Sequence, residues 1–325
     1  MEYQRTGKYF AQVAGSLEPH AKAELESLGA KITQEVPRGL RFSCSPATLY
    51  RIIYTSRLAQ RILAPLISFK CHSENYLYDQ ARQGLPWPEL FELSQSFGIE
   101  SNVSASKIGH SLYAGQLVKD AICDVFRDKY QQRPDFKASG ADINFNLHIR
   151  ENWATISLDL TGSMHKRGYR VQSTDAPLQE TLAAAMVMLS GWDGSRPLHD
   201  PMCGSGTILA EALMRFCDIP AAYLRSNKEI RFLPDFDPEL WERTVSCANA
   251  RIKPLPQGLI SGSDIRSEVI QAARANLERL PGAENISLEV SAFQSLPRQT
   301  GRYIITNPPY GVRLGNTATV IQLYN

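Results

Sequence analysis

One stretch constrains this chain more than any other: Asp200-Pro201-Met202-Cys203-Gly204-Ser205-Gly206-Thr207. It follows the apolar pair Pro197-Leu198 and opens a helical pattern of Ile208, Leu209, Ala210, Ala212 and Leu213. The order is strand, glycine-rich turn, helix. Glycine permits positive φ and lets a ligand come close to the backbone. A helix starting there offers free N–H groups and the positive end of its dipole. Such a turn can hold the polar or anionic part of a nucleotide-like cofactor. A plain tight turn is the rival reading. The stretch is neither the dinucleotide pattern G-x-G-x-x-G nor a phosphate loop, because no Gly-Lys-Ser/Thr follows. A second stretch, Asn307-Pro308-Pro309-Tyr310, comes after a strand-like run over 303–306. Its two prolines fix the chain where a strand ends, with an amide before them and an aromatic ring after them. A proline-stiffened turn explains the prolines but not the combination.

The rest of the chain is read around these two places. Its 325 residues suffice for roughly two or three domains. Residues 8–70 alternate strand (9–14), helix (18–28), a hairpin (31–36 and 40–44 across Pro37-Arg38-Gly39), helix (46–56) and strand (61–69). That β-α-β-β-α-β order is the ferredoxin-like unit. From 71 to 165 a loop-rich stretch around Pro86-Trp87-Pro88 precedes a brief strand (102–106) and an amphipathic helix over 111–130. A hairpin then alternates cleanly through Ile143, Phe145, Leu147 and Ile149, turns at Glu151-Asn152, and returns through Ala154, Ile156, Leu158 and Leu160. From 177 on the pattern is α/β. It comprises a helix (177–189), the glycine turn with its helix (206–216), an insertion (about 218–256), a strand (259–262), a helix (267–280), and strands at 286–290 and 303–306. The reading is therefore mixed α/β and α+β, with domains at 1–70, 71–165 and 166–325.

Charge and cysteine content narrow the function. Net charge is only +2, so a nucleic-acid partner requires cations that are locally concentrated. The six cysteines include no C-x-x-C and no histidine at zinc spacing. They read as reduced thiols of a cytoplasmic protein, not as metal ligands. No run approaches the ~20 apolar residues of a membrane span. Cations of the second domain are Lys107, His110, Lys119, Arg127, Lys129, Arg133 and Lys137. They read either as an ordinary solvated face or as phosphate contacts. His165-Lys166-Arg167-Gly168-Tyr169-Arg170 reads as a backbone-gripping strip with one stacking ring, or as a basic linker. Asp264, closing the strand after the insertion, can accept both ribose hydroxyls of an adenosine, or can cap the next helix. Cys203 reads as a small space-filler in preference to a nucleophile.

DPxxGSGT followed at a distance by NPPYG resembles the Rossmann-like methyltransferases that act on exocyclic amino groups of bases with S-adenosyl-L-methionine. Within them the chain is similar to the THUMP-domain RNA guanine-N2 methyltransferases of large-subunit ribosomal RNA, often labelled adenine-specific DNA methylases. The resemblance implies a THUMP-like RNA-binding domain at 71–165. It implies that Glu180 and Thr181 border the cofactor's methionine end. The loop Asp200, Pro201, Cys203, Gly204, Ser205, Gly206 and Thr207, with Asp264 and Ile265, would hold its remainder. Relatives often place an aspartate after the third strand; here Ser291-Ala292-Phe293 stands there, so adenine would rest on Ala292 and Phe293. Val312 replaces a common glutamate. The H-x-R-G-Y-R strip is common in the family. The family's sheet has seven strands and four are accounted for, so the chain is expected to be incomplete at its C-terminus.

The chemistry implied is direct displacement at a sulfonium methyl. The amino lone pair of guanine or adenine is delocalised and a poor nucleophile. The Asn307 side-chain oxygen and the Pro308 carbonyl can accept its two hydrogens, with Pro309 fixing the turn and Tyr310 stacking on the base. Positioning and electrostatic preorganisation supply the catalysis, with no metal. The base must leave any helix. The expected activity is methylation of guanine N2 in 23S ribosomal RNA. Transfer RNA guanine, DNA adenine N6, or a non-catalytic RNA-binding factor with a relic cofactor site remain alternatives.

Overall fold

The computed structural model describes residues 1–172, 177–297 and 300–308. They form two units: residues 1–165 with 225–248, and residues 166–224 with the described residues from 249 on.

The first unit begins with α1 (Glu2–Thr6), β1 (Lys8–Val13), α2 (Glu18–Ser27), β2 (Lys31–Val36), β3 (Gly39–Ser43), α3 (Pro46–Thr55) and β4 (Ala59–Lys70). These strands pair antiparallel in the order β2-β3-β1-β4, the ferredoxin-like arrangement. Burial alternates along β1, with Tyr9, Ala11 and Val13 inside, so one face of the sheet packs and the other is open. The start of α3 follows from its sequence. The Ser45 hydroxyl accepts from Thr48 N–H at 3.3 Å, and Pro46 occupies the first turn.

β4 runs longer than its apolar run suggests because it serves two neighbours. It pairs with β1 on one side and with β7 (Trp153–Asp159) on the other. Between them come α4 (Glu74–Gln83), α5 (Trp87–Leu90), β5 (Phe97–Ser104), α6 (Ser111–Tyr130) and β6 (Ile143–Arg150). One seven-stranded sheet results, ordered β2-β3-β1-β4-β7-β6-β5. The β6–β7 hairpin turns where expected. Glu151 (φ 52°) and Asn152 (φ 60°) both sit in the left-handed region that a two-residue type I′ turn demands. The Asn152 side-chain oxygen accepts from Lys107 N–H at 2.9 Å and so ties the turn to the loop after β5.

Two expectations are corrected here. The stretch read as loop-rich contains α4, capped by Ser73 on Tyr76 N–H at 3.3 Å. It buries only Leu77 and Ala81, too sparse an apolar pattern to read as a helix. β5 starts at Phe97, not at 102, because it is paired in parallel with β6 along its whole length. Its crossover is α6, as parallel pairing requires.

The second unit carries α7 (Glu180–Leu189), β8 (Leu198–Asp200) and α8 (Thr207–Phe216). The chain then passes into α9 (Pro238–Asn249) and returns through β9 (Ile260–Asp264), α10 (Ser267–Leu277), β10 (Ser287–Val290) and β11 (Tyr303–Ile304). All four strands are parallel, in the order β10-β9-β8-β11. Among the described residues this is the 3-2-1-4 strand order of a doubly wound sheet. Its order reverses between β8 and β11, where ligands sit outside the carboxyl ends. Leu198, Ile260, Leu209, Leu213, Ile270 and Leu277 form the core beneath it.

Residues 225–248 belong to the first unit although they interrupt the sequence of the second. Trp241 meets Tyr50 and Tyr54 edge-on at 5.7 and 5.9 Å. Tyr3 OH donates to Asp235 at 2.6 Å, and Asp237 N–H donates to Tyr50 OH at 2.8 Å.

Candidate cofactor and catalytic site

The glycine turn is pinned from both sides. Cys203 N–H donates to the Ser263 carbonyl at 2.9 Å, fastening the loop to β9. Gly204 (φ 51°) and Gly206 (φ 81°) adopt left-handed backbone. At Gly206 a Cβ would stand 3.2 Å from the Ala273 Cβ, so the loop reaches α10 as closely as it does because the residue is glycine. The Ser205 carbonyl accepts from Asn276 Nδ2 at 3.1 Å. That buried amide also accepts from Val171 N–H and Gln172 N–H and donates to the Gln172 carbonyl.

Asp264 closes β9 and faces this loop. One carboxyl oxygen accepts from Gly204 N–H and the other from Arg266 N–H, both at 3.1 Å. The N-cap position of α10 is Arg266, so Asp264 is not the capping residue. Ile265 beside it is exposed. Ser291 N–H donates to the Asp264 carbonyl at 3.0 Å, bringing half-buried Ala292 and Phe293 to the same edge of the sheet. β11 pairs with β8, and Ile305 N–H donates to the His199 carbonyl at 3.2 Å. Thr306, Asn307 and Pro308 therefore leave the sheet at the same carboxyl edge as Asp200. Pro309, Tyr310 and Val312 lie outside the described residues.

Polar atoms at this edge await partners. Thr181 Oγ1 and Glu180 Oε2, buried at the start of α7, have no hydrogen bond among the described residues. Such buried atoms call for a hydrogen-bond partner, which a bound ligand or a water supplies. Burial raises the Glu180 carboxyl above its usual range, against the pull of Arg170. Pro201 is buried with the turn. Cys203 packs against Gly262, where a Cβ would come within 3.1 Å of its own, and burial pushes its thiol far up. Its packing is that of a small space-filling side chain. A cavity of about 400 Å³ lined by His199, Ser261, Glu289 and Arg302 lies on the other face of the sheet from Asp200, and we assign it no part in this site.

Asp200 is wholly buried, and that burial, aided by the nearby Asp264 carboxylate, lifts its carboxyl up to about 7. In the unfolded chain an aspartate titrates near ~3.9. The neutral carboxyl's contribution to stability is therefore full below that value and is lost as pH rises through about 7. Asp200→Asn removes the titration. Its Tm relative to wild type should climb between about pH 5 and about pH 8 in thermal unfolding, and a constant gap would refute the assignment.

The cationic strip before α7 requires correction. Arg167 and Tyr169 are each 1 % exposed. Arg167 Nε and Tyr169 OH both meet Glu211 Oε1 at 3.2 Å, and Glu211 is fully buried. Arg170 donates to the Leu178 carbonyl at 2.8 Å and to Thr207 Oγ1 at 2.9 Å, and pairs with Glu180. Arg167 and Tyr169, buried with these partners, cannot grip phosphates or stack on bases, and Arg170, partly buried, is engaged by its own partners. They brace the glycine turn and its helix. Sequence shows the cations but not the acid buried against them.

On α6 the cations are shared with acids. Lys119 pairs with Asp120 and lies over the Phe136 ring; Arg127 and Arg133 both approach Asp124. Lys129 lies over Tyr130. Lys107 and Lys137 are exposed without an ion pair among the described residues. Asn276 and Glu211 escaped sequence reasoning, since single polar residues in apolar helices carry no periodic signal. No cluster of His, Cys, Asp and Glu among the described residues has metal-holding geometry, and no helix there is long and apolar enough to cross a membrane.

Comparison with known proteins agrees with this geometry. Residues 8–63 match the RlmL ferredoxin-like domain, residues 71–159 the THUMP domain, and residues 167–325 the RMKL-like methyltransferase domain. A Synechocystis sp. protein assigned as an RNA methyltransferase, slr0064, is 37 % identical over 321 residues, covering 98 % of this chain and 83 % of its own. A solved structure of SMU.472, assigned as a methyltransferase and complexed with SAH, is 26 % identical, covers 98 % of this chain and 84 % of its own, and superposes with a TM-score of 0.83. A Listeria monocytogenes structure described as a predicted N6-adenine-specific DNA methylase is likewise 26 % identical, with coverage of 99 % and 85 % and a TM-score of 0.83.

Proposed function

The chain belongs to the THUMP-domain RNA methyltransferases of the RlmL type, and from that premise we propose that it methylates the exocyclic N2 amino group of a guanine in 23S ribosomal RNA. The methyl donor is S-adenosyl-L-methionine, which when bound supplies an electrophilic methyl on a sulfonium. The observation that carries the reading is the pairing of β11 with β8, which sets Asn307 at the same sheet edge as the glycine turn.

Each residue has a part in holding and aiming. The Asp264 carboxylate keeps lone pairs for ribose hydroxyls after taking the Gly204 and Arg266 N–H groups. Thr181 Oγ1 and Glu180 Oε2 suit the amino-acid end of the cofactor. The Asn307 side-chain oxygen and the Pro308 carbonyl accept the two hydrogens of the target amino group. That returns electron density to nitrogen and directs its lone pair. Ala292 and Phe293 offer a surface for adenine.

Asp264→Ala should weaken S-adenosylhomocysteine binding roughly 10- to 100-fold, the loss expected for hydrogen bonds to a charged group. Calorimetry measures it, and unchanged affinity would place the ribose elsewhere. The function is tested by transfer of a labelled methyl to 23S ribosomal RNA transcript followed by nucleoside analysis. Label recovered as N2-methylguanosine at one position is expected. Label in transfer RNA or in DNA adenine would replace this reading with those alternatives. No transfer, together with no cofactor heat, would leave an RNA-binding factor with a relic site.

A further inference from the structure

On the face of the seven-stranded sheet that carries Trp153, the middle is covered, with Leu63, Asn146, Ser157 and Asp159 buried, but one end is exposed and carries a row of residues that nothing above employs. Lys70 pairs with Trp153, Trp153 with Arg150, and Arg150 with Ser104. Residues directly opposite in neighbouring strands point to the same face, so the four stand side by side across β4, β7, β6 and β5. The next row on that face is Ser68, Thr155, His148 and Asn102. Lys107 joins the same end, because its N–H is held by Asn152 in the turn between Arg150 and Trp153. Trp153 is 46 % exposed, and Lys70, Arg150, Ser104, His148 and Asn102 are exposed.

Charge on this surface is unbalanced in one direction. The acids of the face, Glu100 and Asp159, both pair with Arg61. Arg150 meets only the exposed Glu151, and such a surface pair is worth little. Lys70 and Arg41 have no ion pair among the described residues. His148 is exposed at its surface while its ring is packed among neighbours, and that packing first, then the charges of Arg41 and Arg150, holds the imidazole below its usual range. The imbalance contrasts with α6, whose cations are matched by Asp120 and Asp124.

A large exposed ring, flanked by cations and by short amide and hydroxyl side chains at the exposed end of a sheet, has the composition of a stacking platform for an unpaired strand. The ring stacks a base, the cations meet its phosphates, and serine, threonine and asparagine can reach base edges or 2′-hydroxyls. We propose that single-stranded RNA binds across the row Lys70–Trp153–Arg150–Ser104, with a base stacked on Trp153. The proposal rests on RNA being the substrate, and it names residues of the first unit that hold the RNA.

The test uses the full chain and a labelled single-stranded oligoribonucleotide of roughly ten nucleotides, within the usual site size. Trp87, Trp192 and Trp241 are buried, so iodide-accessible tryptophan emission reports on Trp153. Binding should quench that emission and shield it from iodide. Trp153→Ala should weaken binding roughly tenfold, the loss of one stacked base. Lys70→Glu with Arg150→Glu should weaken it similarly and flatten the salt dependence of log affinity by roughly 1.4, for two lost phosphate contacts. Far-UV circular dichroism and the urea midpoint should match wild type in all variants, showing that the first unit folds, and S-adenosylhomocysteine binding should be unchanged. Variants that bind RNA as wild type does, a Trp153 still open to iodide in the complex, or a preference for duplex RNA would each overturn the platform. If wild-type methyl transfer persists in those cases, the proposed function stands without it. If the wild-type chain binds no RNA at all, both fall.

Discussion

Arg167→Met is expected to lower the stability of the methyltransferase unit by about 3–5 kcal/mol, because it strands the Glu211 carboxylate in the interior. Arg167 is 1 % exposed and Glu211 0 %, and their contact is 3.2 Å. In the variant the Tyr169 hydroxyl remains as donor to that carboxylate, and it carries no charge. Against a total stability of about 5–15 kcal/mol, such a loss leaves the unit close to unfolding at ambient temperature. The partner experiment is Arg167→Met with Glu211→Leu, which removes both charges. It should recover most of the loss, short of about 1 kcal/mol for the hydrogen bond Tyr169 gives up. Urea denaturation of the two variants measures both figures. A midpoint for Arg167→Met equal to that of wild type would mean that the pair stabilises nothing. Because Arg170, three residues on, holds Thr207 at the start of α8, cofactor affinity should fall with stability in the single variant and return in the double.

Asn307→Ala is expected to reduce kcat for methyl transfer roughly 10²- to 10³-fold, the usual effect of losing one preorganised polar contact to the reacting group. The backbone carbonyl of Pro308 would still accept one amino hydrogen, so activity should not vanish. S-adenosylhomocysteine affinity should be unchanged, since Asp264 and the glycine turn are untouched. Single-turnover kinetics with saturating RNA isolates the chemical step. A variant that transfers methyl at the wild-type rate would remove Asn307 from the reaction. One that loses only cofactor affinity would move it to the binding site.

The sequence exposed the α/β half well because its signals are local. Two glycines before a helical run and two prolines after a strand mark the junctions that parallel pairing then brings to one edge. The βαββαβ order was equally plain, and so was the hairpin at Glu151-Asn152. What local pattern could not show was partnership at a distance. Arg167 and Tyr169 read as surface cations and a free ring until Glu211, more than forty residues on, proved to be buried against them. Asp264 had two rival roles, and the N-cap of α10 falling on Arg266 decided against capping. The helix α9 stayed hidden because Trp241 is its one buried residue, and its ring partners Tyr50 and Tyr54 are nearly two hundred positions earlier.

β4 has one further consequence. It gives backbone hydrogen bonds to β1 on one side and to β7 on the other, so the ferredoxin-like and THUMP segments are welded along a common strand. Neither can be excised without baring a strand edge as a template for aggregation. In hydrogen exchange they should open as a single foldon.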